Sequence, residues 1–155
     1  MQLREILSKE VYHANPSSKI YEVAQLMLRH NIGAVPICDQ DNKLVGIITD
    51  RDLAIECCTS QIDMRNAEVR QVMTNNPVTA HPDLDLKQAC ELMAREQVHR
   101  LPVVDTNERL VGIVSLGDLA VCMPHEQAVL DALVRISIPC RVPEQTILKE
   151  RAASA

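Results

Sequence analysis

The stretches GIITDRD at 46–52 and GIVSLGD at 112–118 set a glycine, a hydroxyl residue and an aspartate at one spacing, 66 residues apart. Outward from them, the same offset pairs Pro36 with Pro102 and Pro16 with Pro82 without a gap. It also pairs Ala14 with Ala80, Leu26-Met27 with Leu92-Met93, Arg29 with Arg95 and Asp39 with Asp105. Leu44-Val45-Gly46-Ile47 falls on Leu110-Val111-Gly112-Ile113, and Leu53-Ala54 on Leu119-Ala120. So long an ungapped match is an internal duplication.

Each copy changes its hydrophobic period in the same order. A short extended piece, VYHA at 11–14 or PVTA at 77–80, comes just before a proline. A helix follows, with Ile20, Val23, Ala24 and Met27 on one face in the first copy and Leu86, Ala89, Cys90 and Met93 in the second. Ser17 or Ser18 is the expected cap of the first helix and Asp83 that of the second. Two β-rich runs around a polar turn then make a hairpin: AVPIC at 34–38 with KLVGIIT at 43–49, and RLPVVD at 100–105 with RLVGIVS at 109–115. A short helix closes each copy, near 50–57 and 116–122.

The order is thus β-α-β-β-α twice, a mixed α/β (α+β) fold. One unit of about 50 residues buries too little apolar surface to stand alone, so the two are expected to pack face to face about a pseudo-twofold axis. Leu3, Ile6 and Leu7 predict a helical turn docked on this module, and Val129, Leu130, Leu133, Val134 and Ile136 an amphipathic helix over 126–137. Residues 1–60 form the first repeat with its helical leader and 61–123 the second. Residues 124–155 form the C-terminal helix and a loosely ordered tail from Pro139.

Composition narrows the function. With 155 residues, 46% hydrophobic, the chain can bury a core without disulfides or metal. No apolar run approaches the roughly 18 residues of a membrane span, and charge within MQLREILSKEV argues against an apolar signal core, so a soluble, cytoplasmic protein is expected. A formal charge of -5 without a block of like charge offers no long-range attraction to nucleic acid or anionic membrane. Tyr12 and Tyr21 are the only aromatic residues, which removes the stacking platforms of single-strand binders.

The six cysteines include no C-x-x-C pair and read as small buried hydrophobes, with the vicinal Cys57-Cys58 as a redox candidate strained by adjacency. His13, His30, His81 and His125 have no carboxylate or cysteine partner at ligand spacing, so no metal site is expected. There is no G-x-S-x-G, no H-E-x-x-H and no phosphate loop, and catalysis is not expected.

Tandem β-α-β-β-α units with a hydrophobic-Pro-hydrophobic strand, an L-V-G-I strand and a closing G-x-x-[ST]-x-x-D resemble the CBS domain pair, or Bateman module. The resemblance covers about residues 1–122, and the size is similar to that of the small stand-alone prokaryotic members. It implies a non-enzymatic regulatory module that takes an adenosine-containing ligand between the repeats (AMP, ADP, ATP or S-adenosylmethionine), requires no other cofactor and reports to a protein partner. It also implies a homodimer through the closing helices, with Leu53, Ala54, Leu119 and Val121 as the buried surface. The alternative is a ligand-free dimerisation or scaffold protein. Nucleic-acid regulation lacks both a separate domain and a basic stripe.

Thr49 and Asp52, like Ser115 and Asp118, sit where a strand hands over to a helix. A hydroxyl residue followed three positions later by an acid is a capping box. The resemblance adds a compatible role, in which the aspartate accepts from a ribose diol and the hydroxyl contacts ribose or phosphate; a carboxylate has about four acceptor sites. His99-Arg100 stand where the first repeat has Gly33-Ala34, so only the second repeat brings a local cation, which the family commonly sets against phosphate. Arg51 is a further phosphate candidate. The resemblance assigns the adenine edge to backbone at Thr79 and Ala80 in one cleft and at His13 and Ala14 in the other, with Val35-Pro36 and Leu101-Pro102 as apolar walls. Because His99-Arg100 and Asp118 share a repeat, Asp118 is the expected stronger contact for phosphorylated ligands.

Overall fold

Unbroken apolar, β-branched runs make buried strands, and amphipathic stretches with a 3.6-residue period make helices that cover them. A computed structural model describes residues 1–8 and 10–138, Cys57 by its backbone only. Its elements are α1 (Ile20–His30), β1 (Ala34–Cys38), β2 (Leu44–Thr49), α2 (Asp50–Thr59), β3 (Thr74–Asn75), α3 (Leu86–Glu96), β4 (Arg100–Val104), β5 (Leu110–Ser115), α4 (Leu116–Cys122) and α5 (Gln127–Ser137). Single 3-10 turns stand at Leu3–Glu5 and Val69–Gln71.

The duplication is structural as well as sequential. Antiparallel β1 and β2 put Ala34 opposite Thr49, β4 and β5 put Arg100 opposite Ser115, and the register shifts between Ile37 and Cys38 just as between Val103 and Val104. Left-handed backbone recurs at the offset even where side chains differ: Asn31 (φ 52°) with Gln97 (φ 54°), and Asn42 (φ 61°) with Glu108 (φ 64°). The two hairpin tips meet in an antiparallel bridge between Lys43 and Arg109, again one offset apart, so the pseudo-twofold axis passes between them. Leu44 N–H donates to Glu108 O (3.1 Å) and Leu110 N–H to Asn42 O (3.0 Å) across that junction.

The opening pieces VYHA and PVTA are shorter than the expected strands. Each makes one parallel bridge, Ala14 to Ile37 and Ala80 to Val103. Ala14 N–H donates to Pro36 O (3.0 Å) and Cys38 N–H to Ala14 O (2.8 Å), with Ala80, Pro102 and Val104 repeating the pair at 3.0 and 2.9 Å. A longer ladder would need N–H groups from Pro16 and Pro36, or from Pro82 and Pro102, and proline has none. The expected caps shift too. Lys19 precedes α1, where Glu22 accepts its N–H (3.0 Å), and Asp85 caps α3 by accepting Lys87 N–H (2.9 Å). Ser18 instead gives its carbonyl to Val69 N–H, and Asp83 pairs with Arg4. Contacts from outside each helix hold these residues in the loop.

Those outside contacts cross between repeats. Leu3 is fully buried in the core of the second repeat with Leu86, Met93, Leu101 and Leu119, and Leu3 N–H donates to Leu84 O (3.0 Å). Val69, one offset later, is fully buried in the core of the first with Ile20, Val35, Ile37 and Ile48, and its N–H donates to Ser18 O (2.9 Å). The leader that precedes the first repeat in sequence therefore completes the second in packing. α5 lies along α3: Ala132 is buried there, Lys87 pairs with Glu126 (2.9 Å), and Gln97 Nε2 donates to Arg135 O (3.3 Å) at the far end.

Of the four residues expected on a dimer face, Leu119 is fully buried and Leu53 only 9% exposed, because both point into the repeat cores. Ala54 and Val121 are exposed. The tail from Pro139 lies outside the described residues, as does the Cys57 side chain; Cys58 is exposed. No described helix is long and apolar enough to cross a membrane.

Cys38 and Cys90 are buried, and burial, aided by Asp39 and Asp85 respectively, pushes each thiol from 9.0 to about 11. These thiols are expected to resist iodoacetamide at pH 8 while Cys58 and Cys122 react, readable by mass spectrometry of peptides. The sign of the pH dependence follows. Unfolded thiols ionise near 9 while the native ones stay protonated to about 11, so folding stability should fall as pH rises through that window. Alkylation of Cys38 at the rate of Cys58 in folded protein would contradict this.

Candidate functional site

At the end of β2 the Thr49 hydroxyl accepts Asp52 N–H (3.2 Å), while Asp52 Oδ2 accepts Thr49 N–H (2.8 Å) and its hydroxyl proton (2.7 Å). Ser115 and Asp118 repeat this capping box at the end of β5 with 3.1, 2.7 and 2.7 Å. In both, Oδ2 does the capping, and Oδ1 accepts no hydrogen bond among the described residues. One carboxylate oxygen therefore faces outward for another donor. The copies differ in burial: Asp52 is half-buried and Asp118 exposed.

A cavity of about 520 Å³ lies between the repeats, with Asp52 in its lining. Its volume is in the range of small-ligand sites. The first repeat supplies Thr49, Asp50, Arg51 and Asp52, and the second supplies Thr74 and Asn76–Val78 ahead of α3 and Gln97–Arg100 and Pro102 after it. His99 and Arg100 thus meet Asp52, across the pseudo-twofold axis. Asp118, in their own repeat, does not line the cavity. Neither side chain is drawn off by an ion pair among the described residues: Glu96 holds Arg95 (2.8 Å) and Glu108 stands by Lys43 (3.9 Å).

Gly33, the counterpart of His99, marks why the first repeat has no cation here. A Cβ at Gly33 would stand 2.9 Å from Asp50 Oδ2 and 3.2 Å from Arg100 Nη2. The Arg100 side chain crosses to the first repeat and fills the space that a residue there would need.

Other candidates fall elsewhere. Ala80 is buried with both backbone groups committed to β4, Thr79 is half-buried beside it, and their neighbour Val78 is the one that lines the cavity. Pro102 forms an apolar wall, whereas Val35 and Leu101 are fully buried in the cores. His13 and Ala14 line a separate cavity of about 820 Å³ with Ser17, Leu26, Cys38, Asp39 and Arg70, and Ser115 and Asp118 belong to neither cavity. Sequence reading missed Gln97, Asn76 and Val78, which carry no motif. For Gln97 the available signal was its position at the C-cap of α3, where a left-handed residue is common. Among the described residues, no three His, Cys, Asp or Glu side chains gather as a metal site.

Comparison with known proteins agrees with the duplicated fold. The family model for the CBS domain matches twice, over residues 3–57 and 69–125, each match beginning at the 3-10 leader. CBS domain-containing protein YhcV of Bacillus subtilis is 40% identical over 135 residues, 87% of this chain and 94% of that protein. Hypoxic response protein 1 of Mycobacterium tuberculosis is 31% identical over 136 residues, 88% of this chain and 94% of that protein. The solved CBS domain pair of protein MJ0100, in complex with 5'-methylthioadenosine and S-adenosyl-L-methionine, is similar with a TM-score of 0.73 at 33% identity, covering 80% of this chain and 96% of that one. Matched in both repeats, and by relatives over nearly their whole length, this chain belongs to the CBS domain family and carries two such domains in tandem.

Proposed function

We propose that the chain is a non-enzymatic regulatory module that binds an adenosine-containing ligand of the AMP, ADP, ATP or S-adenosylmethionine class in the 520 Å³ cavity between its repeats. The observation that carries this reading is the joining of Thr49 and Asp52 with His99 and Arg100 in one cavity. Asp52 Oδ1 accepts from the ribose diol, and the planar Arg100 fork suits phosphate oxygens. Ile47, Val78 and Pro102 offer the base an aliphatic slot in a chain without aromatic residues nearby. The ligands of the MJ0100 domain pair support the adenosine class.

Gln97 lines the cavity and also holds the end of α5, so a ligand that engages it changes the docking of that helix. The size of such a change equals the difference in ligand affinity between the two states. The protein works, in this reading, as a cytoplasmic homodimer reporting to a protein partner, without membrane or nucleic acid.

Calorimetric titration with AMP, ATP and S-adenosylmethionine tests it. At least one should give heat and raise the melting temperature, the stabilisation reaching about 2.7 kcal/mol at a hundredfold excess over Kd. Guanosine analogues should do less. No heat and no shift from any adenosine ligand at millimolar concentration would transfer the reading to a ligand-free scaffold.

A further inference from the structure

The cavity of about 820 Å³ in the first repeat lies apart from the one between the repeats. Its lining includes Cys38, the last residue of β1, whereas Thr49 stands opposite Ala34, the first. The second repeat shows what such a space holds when it is filled. Arg70 N–H donates to Pro16 O (3.1 Å), as Arg4 N–H does to Pro82 O (2.9 Å), so both arginines start from matched backbone. In the second repeat Arg4 pairs with the Asp83 carboxylate, and the half-buried Leu84 next to it packs against the core. Their counterparts in the first repeat are Ser17 and Ser18, two short side chains that line the cavity with Arg70. One copy thus carries a carboxylate and an isobutyl group where the other has open space.

We propose that this cavity binds a small aliphatic carboxylic acid, whose carboxylate meets Arg70 as Asp83 meets Arg4 and whose hydrocarbon end takes the place that Leu84 has in the other copy. The lining suits both ends. Val23 is buried and Ala14 and Leu26 half-buried, so the apolar part lies inward, while Arg70, 62% exposed, lies outward. A guanidinium has five N–H donors, of which a bidentate carboxylate uses two. Glu68, which stands where the other copy has Gln2, pairs with Arg70 Nη2 and is shared with Lys19 (3.9 Å), so two cations hold one acid. Asp39 also lines the cavity, but its counterpart Asp105 coexists with Asp83, and in both copies Oδ1 accepts two backbone N–H groups at 2.8 to 3.0 Å. Glu22 Oε2 accepts Lys19 N–H (3.0 Å). A bound acid fastens the Val69–Gln71 turn to the first repeat, as Asp83 fastens Leu3–Glu5 to the second.

Titration of the full chain with isocaproate, followed by calorimetry and by amide NMR shifts, tests it. Saturable binding is expected with a Kd of about 1 mM, in keeping with so few ligand atoms. Isocaproamide, which lacks the charge, and acetate, which lacks the hydrocarbon, should each bind about ten-fold or more weakly. Arg70→Gln should weaken isocaproate to the same degree. Ser17→Asp/Ser18→Leu, which writes the second repeat's residues into the first, should abolish binding and raise the melting temperature, because the chain then fills its own cavity. No saturable binding up to about 20 mM overturns the proposal. So does an amide or acetate that binds as well as isocaproate, or isocaproate affinity unchanged in Arg70→Gln. Neither Arg70, Ser17 nor Ser18 lines the cavity between the repeats, so nucleotide titrations should read the same in these variants as in the wild type, and the two sites stand or fall separately.

Discussion

Asp52→Asn is expected to lower adenosine-nucleotide affinity ten-fold or more, while Asp118→Asn leaves it within a factor of about two, because a hydrogen bond to a charged group is worth roughly 1.5 to 3 kcal/mol. Both aspartates cap their helices in the same way, so both substitutions should cost similar stability, on the order of 1 kcal/mol. Affinity separates them because Asp52 lines the cavity that holds His99 and Arg100, and Asp118 does not. Arg100→Ala should weaken AMP and ATP far more than adenosine and flatten the salt dependence of binding, since it removes a charge that meets phosphate. The measurement is calorimetry on each variant under conditions where all are folded. Equal losses at Asp52 and Asp118, or an Arg100→Ala effect as large on adenosine as on ATP, would remove the proposed arrangement.

Leu3→Ala should destabilise the whole module by about 2–5 kcal/mol, the range for truncating a fully buried leucine. Leu3 lies among Leu86, Met93, Leu101 and Leu119, and the strand-like pairing of Gln2 with Asp85 holds the segment in place. Urea denaturation gives the total effect. Hydrogen exchange gives its location, with protection lost first in α3 and β4 and retained longer in α1 and β1. A loss below 1 kcal/mol, or one centred on the first repeat, would show that the leader is not part of the second repeat's core.

How much of this was legible beforehand depends on the range of the interaction concerned. The closing helices expected near 50–57 and 116–122 are found at Asp50–Thr59 and Leu116–Cys122, and the helix expected over 126–137 at Gln127–Ser137. A helix is specified by residues three and four apart, so its face and extent are written in a short window. The capping boxes at Thr49 and Ser115 were legible for the same reason, as a hydroxyl and a carboxylate at fixed spacing.

The reduction of VYHA and PVTA to single bridges was also latent in the sequence, because four prolines withhold the N–H groups that a longer ladder needs. It became visible only once the register of Ala14 on Ile37 was known. The caps at Lys19 and Asp85, the burial of Leu53 and Leu119, and the exchange of leaders were not legible, since each depends on a segment far away in sequence. Duplication sharpens the difficulty. With the 3-10 leader, first helix, hairpin and closing helix each present twice, one 66-residue offset apart, the string is equally compatible with Asp118 or Asp52 facing His99 and Arg100, and with Leu3 or Val69 closing either core. The sequence by itself determined the repeat, its elements and the chemistry of the candidate groups, all of which arise from local pattern. Tertiary structure alone decided the pairing, because packing about the pseudo-twofold axis sets the helix start of one repeat against the strand start of the other, and only one of the two matched clefts receives the Arg100 side chain.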